Sequence, residues 1–239
     1  MKSVLITGVN GGIGQSLAIH FNSQGWHVIG TDIQPTSGCG SVHEFIPCDL
    51  TAGVESIGMH FSSQPDRQLH CLINNAAIQI TGYFNDISSA NLLTSLQVNV
   101  VAAFSLSKLL FDPLAAAKGT IINISSIHSA LTKPGFLAYS VSKAALSGLT
   151  RAMALDIGNK IRVNAIEPAA IATEMLIQGF GDNINGLKEL SSYHPTGALG
   201  DPEEVARLAY FIASEQLPFL NGSCINIDGG IRSRLHDPV

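Results

Sequence analysis

Tyr139 and Lys143 stand four residues apart in Y-S-V-S-K, and Ser126 lies thirteen residues before the tyrosine. Four residues make one helical turn, so the phenol and the ammonium share a helix face. A phenol is a weak base near neutrality because its pKa is about 10. An ammonium about 4 Å from a phenolate contributes roughly 4 kcal/mol at an effective dielectric near 20. That equals about three pKa units, enough to bring the tyrosine towards neutrality. A tyrosine tuned in this way can exchange a proton with an alcohol or carbonyl oxygen. Y-x-x-x-K recurs by chance, so the chemistry depends on what positions the pair.

The surrounding elements supply that frame. Apolar runs at Ser3–Thr7, His27–Asp32, Glu44–Cys48, Cys71–Asn74, Thr120–Ser125, Arg162–Ile166 and Ser223–Ile227 read as strands. Their near-continuous Val, Ile and Leu content suits a parallel sheet buried on both faces. Between them, Ile13, Leu17, Ala18 and Phe21 line one face of a helix closed near Gly25. Leu146, Leu149, Ala152 and Met153 line another that begins near Tyr139. Asp201-Pro202-Glu203-Glu204 combines an N-cap, proline at the first helical position and a glutamate three residues after the cap, which places a helix at about Pro202–Ser214. This alternation gives an α/β fold: a single-domain, doubly wound parallel sheet of about seven strands with helices on both faces, spanning residues 1–239. The stretch 172–200 is the least regular and reads as a mobile flap over a ligand.

Thr7-Gly8-Val9-Asn10-Gly11-Gly12-Ile13-Gly14 follows the first strand and opens the first helix. Glycines there let backbone approach a pyrophosphate, and the helix N-terminus offers unpaired N–H groups. Gly8, Asn10, Gly12, Ile13 and Gly14 are thus candidate nucleotide-binding positions. Asp32 closes the second strand. A carboxylate there accepts from a ribose 2′-OH and repels a 2′-phosphate. No Arg or Lys occurs near the loop or just after Asp32, so NAD is favoured over NADP. Asp49, followed by Leu50, could reach the adenine or simply cap the next helix.

Bulk properties narrow the rest. Hydrophobic residues are 46% and charged residues 13%, which argues against disorder and supports a large core. The net charge of −5 comes without a basic cluster, so nucleic acid and anionic membrane are not expected partners. Cys39, Cys48, Cys71 and Cys224 form no C-x-x-C pair and no Cys/His ligand grouping, so no metal is expected. They read as reduced thiols of a cytoplasmic protein. No apolar run approaches the ~20 residues of a bilayer span.

Taken in order, these residues resemble the short-chain dehydrogenase/reductase family. The likeness covers T-G-x-x-x-G-I-G, Asp32, Asp49, N-N-A at Asn74–Ala76, Asn99, Ser126, Tyr139, Lys143, the Ile166-Glu167-Pro168 turn, Thr173 and Asp228-Gly229-Gly230. The resemblance implies that Tyr139 is the general acid/base and that Lys143 depresses its pKa and holds a nicotinamide ribose. Ser126 would bind the substrate oxygen. Asn99 would hold a water in a relay towards Lys143. Asn75 and Ala76 would line the crevice near the adenosine ribose, and Pro168, Ile171 and Thr173 would lie at the nicotinamide. It also implies homodimers or homotetramers. Two departures stand out: Ala77 and Ala169 occupy positions where the family usually has glycine. Each is tolerable where φ is negative and costly where φ is positive.

The expected activity is NAD-dependent hydride transfer between a nicotinamide and a secondary alcohol or ketone. Gln79, His128 and Phe136 are the candidate substrate contacts. His128 resembles a histidine of some glucose and 3-hydroxybutyrate dehydrogenases of the family, and Gln79 a glutamine of the latter, which implies a small polar hydroxy compound such as a sugar, polyol or hydroxy acid. Phe136 with Leu131, Ile80 and Phe180 could instead line a pocket for a larger apolar ketone. A non-catalytic NAD-binding sensor or scaffold on the same fold is the rival from another class.

Overall fold

The computed structural model describes the chain except for residues 65, 182, 216 and 236–239, and the side chain of residue 175. Seven parallel strands form one sheet in the order β3-β2-β1-β4-β5-β6-β7. They are β1 (Ser3–Thr7), β2 (His27–Asp32), β3 (Glu44–Pro47), β4 (Cys71–Asn74), β5 (Thr120–Ile124), β6 (Arg162–Pro168) and β7 (Cys224–Ile227). Each expected strand is present, and no end moves by more than two residues. The register brings Thr7, Asp32, Asn74, Ile124, Pro168 and Ile227 to one edge of the sheet. The order reverses between β1 and β4, and a crevice opens at that switch point beyond the strand ends.

Two apolar layers cover the sheet. On one face, α1 (Gly12–Ser23) and α9 (Pro202–Ser214) bury Leu17, Phe21, Val205 and Ile212 against Val4, Ile6 and Ile73. On the other, α2 (Glu55–Ser62), α4 (Ala102–Leu109), α5 (Phe111–Ala116) and α6 (Leu137–Ile157) bury Ile57, Leu106, Leu114 and Met153 against Leu5, Leu72 and Val163. Phe21, Trp26 and Tyr210 meet edge to face with centroids 5.1–6.1 Å apart. The expected capping box at α9 is present: Asp201 accepts from the Glu203 amide at 2.8 Å, and Glu204 accepts from the Asp201 amide at 2.8 Å.

The structure departs from the sequence reading in two places. First, α3 (Ser89–Leu96), a π turn (Gln97–Val101) and α4 form one helical run, Ser89–Leu109. Contrary to expectation, its length and composition match those of a bilayer span. Its π turn, however, holds the buried Asn99, whose bonds are all internal. Second, the stretch 172–200 is not irregular but carries α7 (Glu174–Phe180) and α8 (Ile184–Tyr193), capped by the side chains of Thr173 and Asn183. Lys118 (φ 47°) is the one non-glycine residue with positive φ among the described residues. Ala77 and Ala169 therefore need no strained backbone, and their methyl groups are tolerated.

Candidate active site

The glycine turn is built for close approach. Gly8 has φ 64°, and a Cβ on it would come 2.8 Å from Ala76 Cα. A Cβ on Gly14 would lie 2.1 Å from the Gly8 carbonyl oxygen. Thr7 Oγ1 accepts from the amides of Asn75 (3.0 Å) and Ala76 (2.9 Å), and Asn75 Nδ2 donates to the carbonyls of Thr7 (2.9 Å) and Gly8 (3.1 Å). The loops after β1 and β4 are thus stitched together at the switch point. Gly11 caps α1 without any side-chain bond, leaving the first-turn amides free for an anion. Gly12 faces Thr173 across this turn, since a Cβ there would lie 3.0 Å from the threonine side chain.

Asp32 sits at the end of β2 with Oδ2 accepting from the Asn10 amide (3.0 Å) and Oδ1 from the Gln34 amide (3.2 Å). The Asn10 side chain donates to Thr36 O (3.0 Å) and accepts from the Gly38 amide (2.8 Å), closing the 34–38 loop onto the glycine turn. Each carboxylate oxygen keeps a lone pair for a ribose hydroxyl. Asp49 accepts from the Thr51 amide and hydroxyl at 2.9 and 2.7 Å, a local turn that lowers its pKa. The Leu50 side chain goes into the core, so only its backbone can meet a ligand. Pro168 ends β6, and Ile171 bridges Gly200, with the Ala172 amide donating to Gly200 O at 2.8 Å. Thr173 Oγ1 accepts from the Leu176 amide at 3.3 Å. Thr173 and Asp32 are thus brought against the glycine turn, at the end of the sheet where a dinucleotide is expected.

Ser126 follows β5 and caps the short 3-10 turn Ile127–Ser129, accepting from the His128 amide at 3.2 Å. Tyr139 and Lys143 lie in the first two turns of α6. Burial raises the pKa of the Tyr139 phenol, and the neighbouring Ser126 hydroxyl only partly offsets this. The Lys143 ammonium is fully buried; it donates to Ile124 O at 2.8 Å and lies 5.6 Å from the Tyr139 ring centroid. Burial lowers its pKa to about 7. The expected depression of the phenol is therefore not what these groups produce by themselves. The cation that would cause it is itself desolvated and tied to a carbonyl.

Asn99 clamps α3–α4 to two neighbours. Its Oδ1 accepts from the Ile78 amide (2.9 Å), and its Nδ2 donates to Ile78 O (3.0 Å) and Ser142 Oγ (2.9 Å). The π turn rotates this side chain into the interface, a feature common at functional positions. All these bonds go to protein groups, so Asn99 positions Ile78 and the residue before Lys143.

At the mouth, His128 stacks on Phe136 with centroids 4.7 Å apart and lies edge-on to Tyr139 at 5.6 Å. Lys133 Nζ lies 4.5 Å from the Phe136 centroid. Burial, aided by Lys133, lowers the His128 pKa to about 4, so the imidazole is neutral. Gln79 is exposed on the loop after β4. The Gly82 amide donates to Gly135 O at 2.9 Å, joining the loop of Gln79 to that of Phe136. Among the described residues no group of His, Cys, Asp or Glu is arranged to hold a metal ion.

Sequence reasoning named two residues of this region without giving either a role of its own. Thr7 ties the two crevice loops together; its signal was its place at the head of the glycine motif. Glu167 is buried beside the turn that Ser126 caps, and its signals were its charge at a buried strand end and its place in the Ile166-Glu167-Pro168 turn.

Comparison with known proteins agrees with this geometry. A family model described as enoyl-(acyl carrier protein) reductase matches residues 8–232. An uncharacterized oxidoreductase of Thermotoga maritima is 35% identical, covering 96% of both chains. Aldohexose dehydrogenase of Thermoplasma acidophilum superposes with a TM-score of 0.89 at 29% identity, covering 100% of this chain and 96% of that one. A candidate NAD(P)-dependent gluconate 5-dehydrogenase from Beutenbergia cavernae, solved with NADP, superposes with a TM-score of 0.86 at 26% identity, covering 98% and 97%. The chain belongs to the short-chain dehydrogenase/reductase family and is an oxidoreductase that uses a nicotinamide cofactor.

Proposed function

We propose that this chain is an NAD-dependent dehydrogenase that interconverts a secondary alcohol and its ketone, acting on a small polar hydroxy compound. The observation that carries the reading is the convergence of Ser126, Tyr139 and Lys143 on one end of β5, beside the glycine turn. The bound nicotinamide supplies hydride transfer. The remaining work falls to side chains of this chain. Ser126 holds the substrate oxygen, and Tyr139 takes the hydroxyl proton or returns it. Lys143, with a pKa near neutrality and N–H groups left over after Ile124, passes a proton towards the phenol and steadies a ribose hydroxyl. Asn99 keeps Lys143 in register.

The preference for NAD rests on Asp32 and on the lack of a basic residue beside it, although the gluconate dehydrogenase neighbour binds NADP. Asn10 holds the 34–38 loop against the same space. For the substrate, a neutral His128 whose Nδ1 meets Thr132 Oγ1 at 3.2 Å leaves Nε2 for a hydroxyl. A sugar, polyol or hydroxy acid fits this better than an apolar ketone. The two sugar-related neighbours agree in direction.

We further propose a cytoplasmic homodimer or homotetramer, with the four cysteines reduced. Val101, Phe104 and Leu109 on the α4 side and Phe211, Leu217 and Phe219 on the α9 side offer exposed apolar surface for copies of the chain. A monomer in light scattering at micromolar concentration would contradict the assembly. The activity test is NADH formation with a panel of glucose, gluconate, 3-hydroxybutyrate and cyclohexanol. Turnover of a polar member is expected. Binding of NAD without turnover of any alcohol or ketone would favour the sensor reading instead.

A further inference from the structure

Glu167 is a buried carboxylate, 2% exposed, that the reaction does not use. Its Oε1 accepts from Ser129 Oγ and from Ser147 Oγ, each at 2.7 Å. Ser129 ends the 3-10 turn that Ser126 caps. Ser147 lies one turn beyond Lys143 on α6, and its oxygen is 2.8 Å from Ser125 Oγ. Ser125 in turn donates to the Lys143 carbonyl at 3.1 Å. One carboxylate therefore ties down the residue before Ser126, the residue three after it and the turn that carries Lys143.

The compensating charge comes from elsewhere in the chain. Arg232 Nη2 lies 2.8 Å from Glu167 Oε2, an ion contact without hydrogen-bond alignment. Arg232 belongs to the 3-10 turn Ile231–Ser233, after β7. Its Nε is 4.0 Å from Asp228 Oδ2. The other ionisable groups nearby are Cys224, whose thiol Glu167 helps to raise, and Arg151, which contacts that thiol at 3.6 Å. A buried carboxylate stripped of its cation draws water or a proton and lets its donors reorganise.

We propose that Glu167 and Arg232 are positioning residues: the turn after β7 holds Arg232 on Glu167, and Glu167 in turn fixes the serines that aim Ser126 and Lys143. The couple makes the catalytic geometry depend on a segment that touches neither substrate nor cofactor. The inference rests on the reading of Ser126, Tyr139 and Lys143 as the reacting groups.

The test measures kcat, NAD affinity and melting temperature with the fastest substrate among glucose, gluconate, 3-hydroxybutyrate and cyclohexanol. Arg232→Met should lower kcat by about tenfold or more while NAD affinity stays within about threefold. The double variant Glu167→Gln/Arg232→Met leaves no stranded charge and keeps a carbonyl oxygen for the two serines. It should recover most of the lost kcat. Arg232→Lys, which keeps the charge, should fall between wild type and Arg232→Met and serves if the methionine variant does not fold. Wild-type kcat in both Arg232 variants, or a double variant no faster than the single one, overturns the proposal. Tyr139→Phe is the parallel control. If it keeps turnover, the reading of the reacting groups fails; if it is inactive while the Arg232 variants are normal, only the positioning couple fails.

Discussion

The Lys143 ammonium lies 5.6 Å from the centroid of the Tyr139 ring, and its hydrogen bond goes to Ile124 O rather than to the phenol. Burial brings its pKa down from 10.5 to about 7. The unfolded chain then binds more protons than the folded one between pH 7 and 10.5, so this residue's contribution to stability improves as pH rises through that window. Below pH 7 the folded protein bears the full cost of a buried ammonium, a few kcal/mol. Lys143→Met should therefore raise the melting temperature of the cofactor-free protein most at pH 6.5 and least at pH 9.5. Thermal melts at the two values check this; a pH-independent difference would contradict it.

Tyr139→Phe removes the phenol beside Ser126 and should reduce turnover by roughly 10³-fold or more. The cofactor crevice keeps its glycine turn and Asp32, so NAD affinity should change little. Calorimetric titration alongside steady-state rates separates the two effects.

Asp32→Ala removes the charge at the end of β2 while Asn10 still holds the 34–38 loop. The preference for NAD over NADP should narrow, chiefly through a higher KM for NAD. A ratio of kcat/KM values that does not move would place the discrimination elsewhere.

Glu44 on the edge strand β3 meets His27, His60 and Arg67, and Arg67 is the main cause that lowers its pKa to about 2. The carboxylate is half-buried and still screened by solvent, so the cluster is worth only about 1 kcal/mol. That contribution is present above the ordinary carboxyl pKa of 4.5 and is lost as pH falls through 2. Arg67→Met should lower the denaturation midpoint at pH 7, and the difference should shrink by pH 3.

Two glycines should respond in opposite directions. Gly14→Ala drives a methyl into the Gly8 carbonyl and should weaken both folding and NAD binding. Gly148→Ala, in the interior of α6 with open space around it, should stabilise by about 0.5–1 kcal/mol. Denaturant titrations compare them directly.

Strand positions were legible because sheet burial writes itself as runs of Val, Ile and Leu. The α9 helix was legible to the residue because Asp201, Pro202 and Glu204 are local signals that act within one turn. Ser126, Tyr139 and Lys143 were legible as a set, but their electrostatics were not. Whether an ammonium meets a phenol or a carbonyl depends on packing between β5 and α6, which lie apart in sequence. The π turn around Asn99 leaves no local signature, because one extra residue in a helical turn is stabilised by tertiary bonds to Ile78 and Ser142. Glu167 and Arg232 are 65 residues apart, counting from their positions, and nothing in either neighbourhood announces the other. The segment 172–200 read as irregular because its Gly and Asn residues mask two short helices, capped by Thr173 and Asn183.

The left-handed backbone at Lys118 lies in the turn between α5 and β5, at the end of the strand opposite Ser126. An L side chain there carries roughly 1–2 kcal/mol of avoidable tension. Replacing it with Asn or Gly would relax that tension where no ligand is handled. Thermal resilience of this enzyme can thus be engineered independently of its chemistry, from the far pole of the sheet.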